Sequence, residues 1–272
     1  MPNPAGLAGL AAIASDPGHA LLAFDFDGVL SPIVDDPEQA QALPQALSAL
    51  ARIGQRVGSV AIITGRPVSF MTSRRGFDVL CTIPDFTVYG QYGQERWDAS
   101  SRVTTTAPAA GNGVADVRAE LTRLLEQPGV TEGAWLEDKG SALAVHTRRA
   151  ADPDGAMAVL TEPVDEIARR HRLRVEPGKL VLELRQPGIH KGDVLRTFIK
   201  DRAARSVLYA GDDLGDLSAF AVIDEFRQND IPGVKVCSGS DVPDVAAVAD
   251  LVVDGPQGVA SLLEGLTRRM PA

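Results

Sequence analysis

Ala20-Leu-Leu-Ala-Phe-Asp25-Phe-Asp27-Gly28 is the stretch on which the fold turns. An apolar run of strand length ends in two carboxylates and a glycine, and a strand buried on both faces reads this way. On extended backbone Asp25 and Asp27 project to one side, while Phe26 points toward the interior. Gly28 lets the chain leave the strand sharply. Two carboxylates this close repel unless a cation lies between them or one carries a proton. A hard divalent cation such as Mg²⁺ resolves the conflict. A turn or capping role for both acids is the plain structural alternative.

Outward from this strand the pattern alternates. Apolar spacing predicts a helix over 43–57 with Pro44 in its first turn. A second buried strand follows at 59–63, Pro67 is placed to open another helix, and 86–89 reads as a third strand. That alternation is the mark of a parallel sheet with helical crossovers. The pattern then changes. Residues 100–113, rich in Ser, Thr, Ala and Gly, read as a hairpin edge or linker. Beyond them come a helix at 114–126, strands at 134–137 and 141–147 turning at Lys139-Gly140, and a helix at 152–170. Strands at 173–176 and 180–184, turning around Pro177-Gly178, complete this block. From residue 189 the first pattern resumes: helix 191–203, strand 206–210, helix 217–226, strands 233–236 and 251–253, and a last helix at 258–267. The fold class is α/β, a doubly wound parallel-sheet core with an inserted smaller α+β domain. The core spans 1–94 and 186–272, and the insertion spans 95–185.

The totals set limits on function. With 272 residues, 44% hydrophobic and 23% charged, the composition is that of an ordinary globular chain with a sizeable core. A net charge of -9 and only 5% aromatics leave little for a nucleic-acid surface. No run approaches the roughly 20 apolar residues of a membrane span, and residues 1–18 lack a secretory pattern. A soluble, cytoplasmic monomer is expected. Cys81 and Cys237 match no metal-ligand spacing and read as reduced core thiols.

Ligands of open parallel sheets bind outside the carboxyl ends of the strands, and three further motifs fall at such places or open a helix. Thr64-Gly65-Arg66 offers a hydroxyl and backbone N–H groups suited to a phosphoryl oxygen, or else a helix N-cap. Lys191 opens a helix, where its charge opposes the dipole; a bound phosphate would account for it, as would a solvated surface site. His190 beside it reads as a cap or packing residue. Gly211-Asp212-Asp213-Leu214-Gly215-Asp216 gathers three acids at a strand end, costly without a cation, although a helix N-terminus tolerates acids. All four structural alternatives would have to hold at once for these motifs to carry no chemistry.

In order and context, Asp25-Phe-Asp-Gly28, Thr64, Lys191 and Gly211-Asp-Asp-x-x-Asp216 resemble the haloacid dehalogenase superfamily of phosphotransferases, with a Rossmann-like core and an inserted α/β cap. Further stretches resemble the trehalose-6-phosphate phosphatases within it. These are Asp25 to Val34, Thr64-Gly-Arg66, Gly90 to Glu95, Glu137-Asp-Lys139, Leu143 to Arg148 and Gly178 to Arg185. The resemblance covers nearly the whole chain from about residue 21 to 266. It implies Asp25 as nucleophile and Asp27 as general acid/base. It implies Mg²⁺ held by Asp25, the backbone carbonyl of Asp27 and Asp212, with Asp213 and Asp216 in support. Thr64 and Lys191 would bind the phosphoryl group, and Arg66, Glu137, Lys139 and Glu183 the sugar-phosphate substrate, trehalose 6-phosphate.

The chain also departs from that pattern. Val29 stands where the family has Thr, Tyr92 where it has His, Thr147 where it has an aromatic, and Leu217 where an acid commonly follows Asp216. None of these removes a group that bonds to phosphorus or metal. Another small sugar phosphate, such as sucrose phosphate or a hexose phosphate, is the alternative substrate. A sugar phosphomutase and a catalytically silent sensor are the alternative activities.

Overall fold

The computed structural model describes residues 2–34, 36–106, 113–127, 132–138, 142–171, 173–178, 180–185, 190–239 and 242–271. Contacts divide the chain into two compact units, one of residues 1–106 with 190–272 and one of residues 107–189.

The larger unit is built on an eight-stranded sheet. Its strands are β1 (Ala20–Phe24), β2 (Ser59–Ile63), β3 (Phe86–Gly90), β4 (Glu95–Asp98) and β5 (Val103–Thr106), followed after the insertion by three more. Those three, which follow the four strands of the insertion, are β10 (Ser206–Gly211), β11 (Gly233–Ser238) and β12 (Leu251–Val253). The order is β12-β11-β10-β1-β2-β3-β4-β5, parallel except where β4 and β5 extend it antiparallel. Every residue of β1 is buried. Ala20, Leu22 and Phe24 face a core shared with helices α1 (Pro4–Ser15), α2 (Pro44–Gly54) and α10 (Gly255–Thr267). Leu21 and Ala23 face the opposite core, shared with α7 (Lys191–Asp201) and α8 (Leu217–Arg227). Continuous apolarity in the central strands is thus what a sheet covered on both faces demands.

This unit differs from the sequence reading in its first helix and at one edge of its sheet. Helix α1 was not anticipated, because its Ala/Gly-rich sequence presents no strong apolar stripe. Asn3 caps it, accepting from the Gly6 N–H at 2.8 Å, and Gly9 lies so close to the Gly233 carbonyl that a side chain there would overlap it. Residues 95–106, assigned from sequence to the insertion, belong to the core sheet. Val88 pairs with Trp97 across β3 and β4, and Trp97 packs on the Phe77 ring at 5.2 Å and the Phe86 ring at 6.2 Å. Burying that indole ties the hairpin to the core, so the break falls after Thr106 rather than before Glu95.

The smaller unit has four antiparallel strands, β6 (Trp135–Asp138), β7 (Ala142–His146), β8 (Arg174–Gly178) and β9 (Val181–Arg185), in the order β6-β7-β9-β8. Leu143, Val145, Leu182 and Leu184 alternate onto one face and pack with Val117 and Leu121 of α5 (Gly113–Leu125) and Leu160 and Val164 of α6 (Pro153–Arg170). The turn expected at Pro177-Gly178 falls later, because both residues pair within the sheet, Pro177 with Leu182. β8 is an edge strand, where a proline costs no ladder bond. The turn expected at Lys139-Gly140 lies outside the described residues. No described helix is long and apolar enough to cross a membrane.

Candidate active site

β10, β1 and β2 run side by side and parallel, so their carboxyl ends open on one edge of the sheet. Strand order reverses between β1 and β10, the place where such sheets bind ligands. Asp25 leaves β1 there, its N–H donating to the Ala210 carbonyl at 2.9 Å. Gly28 takes φ +70°, and a Cβ on it would overlap the Asp212 carboxylate. A glycine at 28 is therefore what lets the first and fourth motifs meet. Ser238 Oγ holds the turn by donating to the Gly28 carbonyl at 2.7 Å.

Lys191 is not a solvated surface lysine. It is 3% exposed, and its Nζ lies 2.7 Å from Asp25 Oδ2 and 2.8 Å from Asp216 Oδ1. Burial alone would strip its proton, but the charges of Asp216 and Asp25 outweigh that and hold the ammonium well above the usual lysine range. Asp216, fully buried, accepts four hydrogen bonds. Oδ1 takes Lys191 and the Tyr209 hydroxyl at 2.6 Å; Oδ2 takes the backbone N–H groups of Asp212 at 2.9 Å and Asp213 at 3.2 Å. Burial would raise this carboxyl, but the Lys191 charge and these bonds hold it below the ordinary value.

Asp25 and Asp212 are shifted the other way. Burial pushes Asp25 well above the carboxylate range, with Lys191 opposing. Burial, then the charges of Asp216 and Asp213, push Asp212 up to about 8. Carboxyls gathered in this manner bind protons or a cation.

Asp25, Asp212 and Asp216 each offer an oxygen within 4.8 Å of the others, an all-carboxylate donor set that fits a hard divalent cation. Asp216 accepts four hydrogen bonds, which fill its acceptor sites, whereas Asp25 accepts one at each oxygen, from the Phe26 N–H at 2.6 Å and from Lys191 at 2.7 Å, and keeps a lone pair on each. The resemblance also placed the backbone carbonyl of Asp27 at the metal, with Asp213 in support; the Asp213 side chain is not part of this group of carboxylate oxygens. The Asp213 side chain is 60% exposed, with Oδ1 3.9 Å from Lys191 Nζ.

Asp27 faces Arg66 instead. The guanidinium grips its carboxylate through Nε at 2.8 Å and Nη2 at 2.9 Å, and lies over the Phe70 ring at 4.5 Å. This bidentate pair fixes the orientation of the Asp27 carboxylate, and Val29 is fully buried. Thr64 is 1% exposed at the end of β2, and its Oγ1 accepts from the Arg66 N–H at 3.1 Å, so the second motif also sets the start of the arginine. Tyr92 sits against Gly65, its N–H donating to the Thr64 carbonyl at 2.9 Å. His190 takes the N-cap position of α7, as its sequence context suggests.

In the smaller unit, Glu137, Ala144, Glu183 and Glu176 stand opposite one another in a single row across β6-β7-β9-β8. Strand alternation puts this row on the face away from α5 and α6. Glu137 Oε2 lies 2.8 Å from His146 Nε2, and the His146 ring stacks on Trp135 at 4.6 Å. Lys139 lies outside the described residues. Tyr209, Phe70, His146 and Glu176 were not singled out from sequence, since each sits in a run whose pattern its burial or strand position already explains.

A doubly wound sheet with acids at adjoining strand ends and an inserted α+β unit defines the haloacid dehalogenase-like class. A haloacid dehalogenase-like hydrolase from Bacteroides thetaiotaomicron aligns with a TM-score of 0.66 at 16% identity, covering 91% of this chain and 99% of that one. The C-terminal domain of the C. albicans trehalose-6-phosphate phosphatase aligns with a TM-score of 0.74 at 23% identity, covering 97% and 96%. A trehalose-phosphatase family model matches residues 23–255, and the chain belongs to that family. It is 32% identical over 271 residues to the trehalose-phosphate phosphatase of Mycobacterium avium (strain 104), covering 93% of this chain. The chain spans 63% of the length of that relative.

Proposed function

We propose that this chain is an Mg²⁺-dependent phosphatase that hydrolyses trehalose 6-phosphate to trehalose and phosphate through an aspartyl phosphate on Asp25. The observation that carries the reading is the meeting of Asp25, Asp212 and Lys191 at one sheet edge, within a trehalose-phosphatase family chain. Asp25 and Asp212 would hold the cation, which when bound would supply positive charge to the phosphoryl oxygens.

In the first half-reaction an Asp25 oxygen attacks phosphorus, the bond to the sugar oxygen breaks, and Asp27 gives that oxygen a proton. In the second, Asp27 takes a proton from water, which attacks the same phosphorus and releases inorganic phosphate and the Asp25 carboxylate. Lys191 offsets charge on the phosphoryl group throughout. Arg66, which grips the Asp27 carboxylate through Nε and Nη2, positions it for both proton transfers. Thr64 binds a phosphoryl oxygen. Residues 107–189 act as the cap, and Glu137, Lys139 and Glu183 recognise sugar hydroxyls, to which carboxylates are apt acceptors.

Phosphate release measured across trehalose 6-phosphate, sucrose 6-phosphate, hexose phosphates and an aryl phosphate, with and without Mg²⁺, tests the reading. The expected result is Mg²⁺-dependent release with kcat/KM highest for trehalose 6-phosphate. Equal rates with and without divalent cation, or conversion of a hexose phosphate to its isomer without phosphate release, would overturn it.

A further inference from the structure

Tyr209 lies in the middle of β10, fully buried, its ring edge-on to Phe220 at 6.1 Å. A phenylalanine would fill the same apolar space, so packing alone does not explain a hydroxyl there. That hydroxyl donates to Asp216 Oδ1 at 2.6 Å, beside the bond from Lys191 to the same oxygen. The opposite oxygen, Oδ2, accepts the two backbone N–H groups that begin the loop bearing Asp212. Asp216 thus has one edge on the lysine and the other on the loop. Its plane is fixed only while donors of comparable strength hold both edges. Hydrogen bonds to a buried carboxylate are among the strong ones. Without the tyrosine, Oδ1 keeps only the Lys191 bond against two on Oδ2, and the carboxylate is held less tightly on the lysine side.

We infer that Tyr209 is a positioning residue: through Asp216 it aims the Lys191 ammonium at Asp25 and fixes the 212–213 backbone, which places the Asp212 carboxylate. Its effect on turnover rests on the phosphatase reading; its effect on cation affinity does not. Because Asp25 and Asp212 share with Asp216 the one group of carboxylate oxygens that fits a cation among the described residues, loosening Asp216 weakens cation binding and catalysis together.

The test is Tyr209→Phe in the full chain, beside Tyr89→Phe as the control for losing a buried tyrosine hydroxyl. Tyr89 lies in β3, its ring packed on Phe198 of α7 at 5.6 Å. Mn²⁺ affinity is read by electron paramagnetic resonance titration, turnover by phosphate release, and folding by thermal melting. Tyr209→Phe is expected to bind Mn²⁺ about fivefold to tenfold more weakly and to lower kcat about tenfold with KM nearly unchanged, a part of the roughly tenfold to hundredfold that one hydrogen bond to a charged acceptor is worth, since the effect is transmitted through Asp216. Tyr89→Phe is expected to match the wild type in both, with a melting shift like that of Tyr209→Phe. Wild-type Mn²⁺ affinity in Tyr209→Phe would overturn the inference. If the unsubstituted chain releases no phosphate from any sugar phosphate, the phosphatase reading fails, and the Mn²⁺ titration alone decides the role of Tyr209.

Discussion

Replacing Lys191 by methionine keeps the bulk of the side chain and deletes one charge between two acids. At an effective dielectric near 20, each of the 2.7 Å and 2.8 Å pairs is worth about 6 kcal/mol of gross attraction. Much of that is offset by the desolvation of three buried charges. The measured cost of removing one partner from a buried pair is about 3–5 kcal/mol, mostly the burden of the charge left behind. For a chain of this size that corresponds to a fall in Tm on the order of 10 °C. Asp25, already raised by burial, loses its opposing cation and takes up a proton more readily. The deficit should therefore be largest at alkaline pH without metal, and shrink as pH falls. Turnover should drop about a hundredfold to a thousandfold, as when one preorganised electrostatic group is lost. Scanning calorimetry of the metal-free protein across pH, paired with phosphate release at saturating Mg²⁺, measures both. A Tm within about 2 °C of the wild type and kcat within about threefold would refute the reasoning, because a buried ammonium on two carboxylates cannot be that inconsequential.

Asp25→Asn should abolish turnover while the protein melts as a folded chain, since the amide fills the same buried site; residual activity near the wild type would exclude Asp25 as nucleophile. Arg66→Gln should lower kcat about tenfold or more on a sugar phosphate and less on an aryl phosphate, whose leaving group needs little help from an acid. Equal losses on both substrates would show that Arg66 does not act through Asp27. Metal-free stability should fall as pH rises. Asp212 stands at about 8 against an ordinary 3.8, so the folded state holds its proton more tightly than the unfolded state. That contribution is full below about pH 4 and is lost as pH climbs through about 8. Thermal melts at about pH 5.5 and pH 8 should show Mg²⁺ raising Tm more at the higher pH, with proton release on binding in calorimetry. A larger Mg²⁺ effect at the lower pH would contradict this assignment.

The core and its reactive edge were legible because β1, β2 and β10 are apolar runs that stop at Asp25, Thr64 and Gly211, and parallel pairing then leaves their ends nowhere else to go. What remained hidden was tertiary. Residues 27 and 66 are far apart in sequence, and nothing local announces that one carboxylate will be gripped by that particular guanidinium. Lys191 read equally as a surface residue, because exposure is decided by α8 packing against α7, with Gly192 N–H donating to Ser218 Oγ at 3.1 Å. Tyr209 was invisible as chemistry, since an aromatic in Ser206-Val-Leu-Tyr-Ala210 is what a core strand contains anyway. The hairpin at 95–106 was misassigned because its Ser- and Thr-rich tip resembles a linker. Trp97, an indole with no other reason to be there, was the overlooked sign of a buried strand.

The central pairing of β1 with β10, Ala20 beside Ser206, has a consequence for how the molecule is made. One flank of the middle strand stays bare until an entire intervening unit has been synthesised and the chain has returned. Contacts this distant along the polypeptide slow folding and expose an aggregation-prone edge meanwhile. Residues 107–189, which cluster among themselves, can acquire structure before the sheet on either side of them closes. Asp212 therefore comes to lie beside Gly28 only once β10, the strand it follows, has paired with β1.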